Sequence, residues 1–216
     1  MAAVAGWLTL LALGALAVRR RWDGSEHPGQ REWSRKLVHI GTGAVVLLAW
    51  AFGIDRRVAL PAAATITVLA ALNHRLRLLP AVEDVGRASY GTVAYGASIT
   101  LLLWQYWPRD PASMAAGVLV MAVGDGLAGL LGPQRPSPSW QVLGQRRSLL
   151  GTSVMAGASL AVLAALNLAV PAVPWPALVA IAAAATALEQ VAIYGLDNLT
   201  VPVAVAWLWH QLSTGA

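Results

Sequence analysis

The chain has 216 residues, of which 57% are hydrophobic and only 12% charged, with a net charge of +5 and no cysteine. Soluble domains carry about 25% charged residues. This composition, with a mean hydropathy of +0.61, therefore excludes an ordinary soluble protein and indicates an all-α, polytopic bundle of transmembrane helices. Without cysteine there are no disulfides or thiolate metal sites, so any metal is held by oxygen or imidazole. The positive charge is arginine apart from Lys36; it reports topology and anionic membrane lipids, and no aromatic-interleaved basic patch points to nucleic acid.

Apolar runs predict spans at Ala2–Val18, Leu37–Ile54, Val58–Asn73, Ser89–Trp107, Ala112–Gly132, Leu149–Val170, Trp175–Tyr194 and Leu199–Leu212. The third and last are short, so seven and eight spans are both open. No linker divides the chain, and residues 1–216 read as a single domain. Arg19, Arg20 and Arg21 follow the first run, whereas a cleaved signal carries its charge before the apolar region, so the first run reads as a retained helix. With eight spans, twelve of the Lys and Arg residues fall in odd-numbered loops and three, Arg56, Arg57 and Arg109, in the alternate ones. Odd loops are then cytoplasmic, and both termini lie outside. Pro133, Pro136 and Pro138 make the loop after Gly132 stiff and non-helical.

Within the fifth run, Met114 to Leu131, the only charge is Asp125. A carboxylate in a span costs roughly 2.5–3.5 kcal/mol on insertion scales and needs a partner. A Mg²⁺ ion suits it, with Gly124 and Gly126 letting backbones close around the carboxylate; a structural contact between helices is the alternative. Asp125 lies about seven residues, roughly 10 Å, from the cytoplasmic end of its helix. Other polar residues gather on that side. Arg35, Lys36 and His39 share a helical face and suit a phosphate, though positive-inside anchoring explains the two cations equally well. Glu83, Asp84, Arg87 and Ser89 precede the fourth span. Arg146, Arg147, Ser148, Gly151 and Thr152 lie where a loop becomes a helix. Ser148 is a candidate N-cap there, and free amides with two arginines form an anion cradle. Glu189 sits inside the seventh span. Asp197 and Asn198 are placed to cap the last helix, with Pro202 in its first turn. Walker A, protein-kinase, His-Glu-x-x-His and Gly-x-Ser-x-Gly patterns are absent. The formal Gly-x-Gly-x-x-Gly at Gly124–Gly129 has no strand before it.

Four blocks in order, Glu32-Trp-Ser-Arg35-Lys36-Leu-Val-His39, Gly124-Asp125-Gly126-Leu-Ala, Arg146-Arg147-Ser148-Leu-Leu-Gly151-Thr152, and Glu189 with Asp197-Asn198-Leu-Thr-Val-Pro202, resemble the polyprenol kinase family. That family takes in phytol, farnesol, dolichol and CTP-dependent diacylglycerol kinases. The likeness runs from about Glu32 to Trp209, is nearest the phytol kinase branch, and has a weaker fifth block at Ser89-Tyr90-Gly91-Thr92. It implies transfer of the γ-phosphoryl group of a nucleoside triphosphate, commonly CTP, to a lipid alcohol such as phytol, geranylgeraniol or another prenol. It also implies Mg²⁺ at Asp125 and an active site on the cytoplasmic side of the membrane. Arg35, Lys36, Arg146 and Arg147 would hold phosphates, with Gly124, Gly126, Ser148, Gly151, Thr152 and Asn198 also lining the nucleotide. His39, Glu189 or Asp197 would position or deprotonate the alcohol. Two departures bear on nucleotide preference. Gly132-Pro-Gln-Arg135 stands where the family often has Gly-Arg-x-Phe-Gly, and Leu150 where many members have glutamate. Two alternatives are a phosphatidate cytidylyltransferase-like enzyme and a non-enzymatic transporter; the latter predicts polar residues through the full membrane depth.

Overall fold

The computed structural model describes residues 2–21, 29–76 and 90–214; of these, the side chains at 19–21, 29–32, 34 and 35 are outside the description. Glu83, Asp84, Arg87 and Ser89, and the side chains of Glu32 and Arg35, therefore lie outside the described residues. The rest is helical apart from one short hairpin. In chain order the elements are α1 (Ala2–Arg21), α2 (Gly29–Ala51), α3 (Arg56–Leu76), α4 (Gly91–Tyr106) and α5 (Pro111–Leu119). A π segment (Val120–Asp125), α6 (Gly126–Leu131) and a 3₁₀ turn (Gly132–Gln134) continue α5 as one rod. Then come β1 (Ser139–Val142), β2 (Gln145–Ser148), α7 (Leu149–Ala169), α8 (Trp175–Val191) and α9 (Asp197–Thr214).

A helix stands at each of the eight predicted positions. The ends differ most at α2, which begins at Gly29 rather than Leu37 because the polar residues before the apolar run also wind as helix. Among the described residues two helices, Pro111–Gln134 and Leu149–Ala169, are long and apolar enough to cross a membrane. Ala2–Val18, Lys36–Ala51 and Trp175–Val191 are shorter apolar helices.

Local chemistry sets the helix ends. Gly53, at φ 55°, closes α2: its amide donates to Trp50 and that of Ile54 reaches back to Ala49, the paired bonds of a glycine-terminated helix. Asp110 caps α5 by accepting the Ser113 amide at 3.0 Å, with Pro111 in the first position. Ser148 caps α7 through the Gly151 amide, as the sequence predicts.

The α5–π–α6 rod is the axis of the bundle. Ala115, Ala116, Val120, Met121 and Ala122 have no exposed surface. Around it stand α2, α7 and α9; α8 packs on α7 and α9, α4 on α9, α3 on α4, and α1 on α2. α5 and α9 approach closely where a Cβ at Gly117 would overlap the carbonyl oxygen of Pro202.

Three sequence expectations need correction. The proline loop is not wholly irregular: Gly132–Gln134 forms a 3₁₀ turn, and Ser139–Ser148 pairs as an antiparallel hairpin. Its two-residue turn puts Leu143 at φ 48° and Gly144 at φ 77°, the twist that suits a tight hairpin. Pro202 lies inside α9 rather than in its first turn. Finally, polar residues are not confined to one end of the bundle. At the opposite end His210 Nδ1 lies 2.6 Å from Asp110 Oδ2, which also accepts the Ser113 hydroxyl at 2.5 Å.

Candidate active site

Asp125 sits where the π segment hands over to α6. A π turn holds one more residue than an α turn and recurs at functional sites. Here it brings two main-chain carbonyls, those of Met121 and Asp125, to side chains of α2. Lys36 Nζ lies 2.7 Å from Asp125 Oδ2 and 3.2 Å from the Asp125 carbonyl oxygen. His39 Nε2 lies 3.4 Å from the same carboxylate oxygen and 3.4 Å from the Met121 carbonyl. Thus the anomalous acid has a basic partner, one turn along α2 from an imidazole, and Lys36 is only 8% exposed.

Glycines allow that approach. The helix α2 crosses the rod antiparallel, with Gly43 facing Ala122, Ile40 facing Gly126 and Lys36 facing Gly129. A Cβ at Gly126 would overlap Ile40, and one at Gly124 would fall 2.8 Å from the Met155 sulfur on α7. From the other side Tyr95 of α4 packs its ring on His39, with centroids 4.6 Å apart and planes tilted by 39°.

The second half of the site joins the hairpin to α8. Arg147 pairs with Glu189 Oε1, and its other terminal nitrogen donates to the carbonyls of Glu189 at 2.6 Å and Ala192 at 3.0 Å. Gln190 donates to Glu189 Oε2 at 2.8 Å and to the Thr152 hydroxyl at 3.0 Å. Both oxygens of Glu189 are thereby occupied. Beyond the α8–α9 turn, Asp197 Oδ1 accepts the Asn198 amide at 3.1 Å. Asp197 lies in the electrostatic field of Asp125, Arg147 and Lys36, and Glu189 in that of Asp125 and Asp197. The two halves therefore form one charged centre of three carboxylates and two cations.

The structure divides the sequence-predicted residues. Lys36, His39, Gly124, Asp125 and Gly126 meet at one point. Arg147, Thr152 and Glu189 meet at a second, and Asp197 with Asn198 borders both. Arg146 instead faces outward, where its guanidinium donates to the Ser139 hydroxyl at 3.2 Å, because neighbours on a strand point to opposite faces. The expected cradle of free amides at α7 is not there. The amides of Leu149, Leu150 and Gly151 go to the Pro138 carbonyl, the Ser137 hydroxyl and the Ser148 hydroxyl. Sequence reasoning missed Tyr95, Gln190 and Gly129. Only Gln190 carried a signal, as an amide beside an acid in an apolar helix.

No protein-family model matches the sequence, and no solved structure matches the chain. A phytol kinase of Synechocystis sp. is 39% identical over 191 residues, which is 85% of this chain and 82% of that protein. By its fold the chain is an all-helical bundle with lysine–aspartate and arginine–glutamate pairs held among apolar helices. Within that class, the chain belongs to the phytol kinase family.

Proposed function

We propose that the protein is a prenol kinase that moves the γ-phosphoryl group of CTP to a prenol such as phytol, giving a prenyl monophosphate. The observation that carries this reading is the convergence of Lys36 and His39 on Asp125 in a chain related along most of its length to a phytol kinase. Phosphoryl transfer asks a protein mainly for positioning and charge neutralisation, and the charged centre is built for both.

Among the described residues no group of three metal-ligating side chains lies close enough to hold a metal unaided. Such a donor set fits Mg²⁺ arriving on a triphosphate and held through the single carboxylate of Asp125, a common arrangement for this ion. When bound, Mg²⁺ offsets the charge on the β- and γ-phosphates. Lys36, Arg35 and the outward-facing Arg146 supply donors to the phosphate oxygens. His39, held by Asp125 and the Tyr95 ring, donates to the transferring group. Gly124 and Gly126 let α2 and α7 close on the carboxylate. Ser148, Gly151 and Thr152 hold the hairpin–α7 junction, while Arg147 and Glu189 tie it to α8.

Asp197 takes the proton. Asp125 Oδ2 is engaged by Lys36 and both oxygens of Glu189 by Arg147 and Gln190, whereas Asp197 offers Oδ2 beyond its bonds with Asn198. The alcohol oxygen bonds to the γ-phosphorus as the bond from that phosphorus to the β–γ bridging oxygen breaks. CDP leaves, and the alcohol proton passes to Asp197.

Eight spans, with both termini outside and the site at the cytoplasmic face, are part of the same reading. The twelve-to-three arginine and lysine asymmetry supports it. So do large side chains such as Leu69, Leu168 and Val179, exposed by more than half on outward helix faces. A cysteine placed at Gln134, in a chain without native thiols, should react with an impermeant reagent only from the cytoplasmic side.

The direct test incubates membranes holding the protein with γ-labelled CTP or ATP and, in turn, phytol, geranylgeraniol, dolichol or diacylglycerol. Label from CTP appearing in a prenyl monophosphate is the expected result. Label in pyrophosphate identifies a cytidylyltransferase, and label in neither product overturns the enzyme reading.

A further inference from the structure

Gly129 lies one helical turn beyond Asp125, on the same face of the rod. The stem of Lys36 crosses it on the way to the carboxylate. A Cβ built at Gly129 overlaps Lys36 Cε and falls 2.6 Å from Nζ, and its three nearest neighbours across the helix contact all belong to the lysine. Other tight glycines of the bundle differ in this respect. At Gly117 the obstacle is the main-chain carbonyl of Pro202, and at Gly126 it is the branched side chain of Ile40. A methyl group at 117 thus strains the fold, whereas one at 129 first meets the far end of a flexible side chain.

We propose that Gly129 is a positioning residue for nucleotide binding: its bare Cα is the floor that seats the Lys36 ammonium against Asp125. Three contacts carry this inference. They are the 2.7 Å bond to the carboxylate, the 3.2 Å bond to the carbonyl of the same residue, and the contact of the lysine tip with the glycine. The 8% exposure of Lys36 leaves its ammonium few other places to go. An alanine here lifts the tip off the floor, and the cation is then misplaced both as the partner of Asp125 and as a phosphate donor. Helix propensity works in the opposite direction. Alanine is favoured over glycine in a helix, which offsets in the fold what the lysine's displaced contacts lose. Residue 129 thereby sets donor affinity without touching the nucleotide. The inference rests on the reading of Lys36 as a phosphate ligand.

The test is a cycle of Gly129→Ala, Lys36→Ala and the double variant, in which the KM for CTP, the KM for phytol, kcat and the thermal midpoint are measured. Expected is a rise of roughly tenfold or more in the CTP KM for G129A, the scale of one charge-assisted hydrogen bond. The phytol KM and the thermal midpoint stay near wild type. In the Lys36→Ala background the glycine substitution then adds nothing, because the side chain through which it acts is gone. A wild-type CTP KM in G129A beside a raised one in K36A overturns the role of Gly129 and leaves the reading of Lys36 intact. A wild-type CTP KM in K36A overturns that reading. Additive effects in the double variant show that Gly129 acts by another route and also overturn the proposal. Should G129A alone fail to fold, folding of the double variant supports the proposed contact, and an unfolded double variant overturns it.

Discussion

The two ends of the bundle use the same residue types for different work. At the end away from the candidate site, Asp110 is spent on local structure. It caps α5 through the amide and hydroxyl of Ser113, only three residues on, and takes one partner from afar, His210. Asp55 likewise accepts the amide of Arg57, two residues on. At the other end the two basic side chains of the site reach across to other elements. Lys36 reaches 89 positions along the sequence to Asp125, and Arg147 reaches 42 to Glu189. Burial differs as well. The side chains of Lys36 and Asp125 are 10% and 17% exposed, against 36% and 24% for His210 and Asp110. A charge that closes its own helix end explains itself. The Lys36–Asp125 pair bridges two helices and caps neither, and a buried pair of that kind costs more than it returns unless it serves another purpose; this contrast separates the site from mere decoration.

Substitutions at the two ends should therefore fail differently. The largest effect is expected from Asp125→Asn. Losing the carboxylate that faces Lys36 and His39 should lower turnover by roughly a thousandfold, the upper scale for deleting one electrostatic group at a reaction centre. The protein should still insert into membranes. Turnover within a few-fold of wild type would end the assignment of Asp125. Next come the paired arginines, which separate binding from support. Arg147→Ala leaves Glu189 uncompensated and should cost about 3–5 kcal/mol of stability, the usual penalty for breaking a buried pair, seen as a lower thermal midpoint in detergent. Arg146→Ala should leave that midpoint unchanged and raise the KM for CTP by roughly tenfold, one charge-assisted contact. Reversal of these two outcomes would exchange the roles of the arginines.

The sequence made one part of this contrast legible and hid another. Helix positions were readable because apolar runs are long where a helix has lipid or core on all sides. Asp125 was readable because a charge interrupts such a run, and the Ser148 cap because a hydroxyl precedes it. The π segment was not, since the shift of hydrogen bonding by one residue leaves no trace in composition. Nor was the hairpin: Leu143-Gly144 lacks the Asn-Gly or Asp-Gly signature that marks a two-residue turn. Without the hairpin, Arg146 and Arg147 look alike, and only the alternation of faces along β2 separates them. Tyr95 was hidden for a different reason. A tyrosine in an apolar helix reads as an interfacial anchor, and its contact with His39 depends on how α2 and α4 rotate against each other. Pro202 misled because proline favours a first turn in general, whereas here it borders the close crossing of Gly117.

The smallest predicted effect belongs to the far end. Burial alone would raise the Asp110 carboxyl. The hydrogen bonds from the Ser113 hydroxyl, from His210 and from the Ser113 amide outweigh it, aided by the histidine's charge, and hold the group below the ordinary range, which is near 3.9. A carboxyl with a depressed folded-state pKa adds stability that is present above the unfolded value and is lost as pH falls through the folded one. Asp110 should therefore contribute fully at neutral pH and lose that contribution progressively as pH falls from about 4 through its lower folded-state value. Asp110→Asn, an amide that can still accept the cap bond, should cost about 1 kcal/mol or less near neutrality. It should also flatten the acid side of a thermal-midpoint profile between about pH 5 and pH 3. Its kcat and KM for both substrates should match wild type, because Asp110, with His210 beside it on α9, sits 15 residues (125 − 110) from Asp125, or roughly 22 Å along the rod. A kinetic defect in this variant without a change in the acid profile would break the division between the two ends and extend the working site through the whole depth of the bundle.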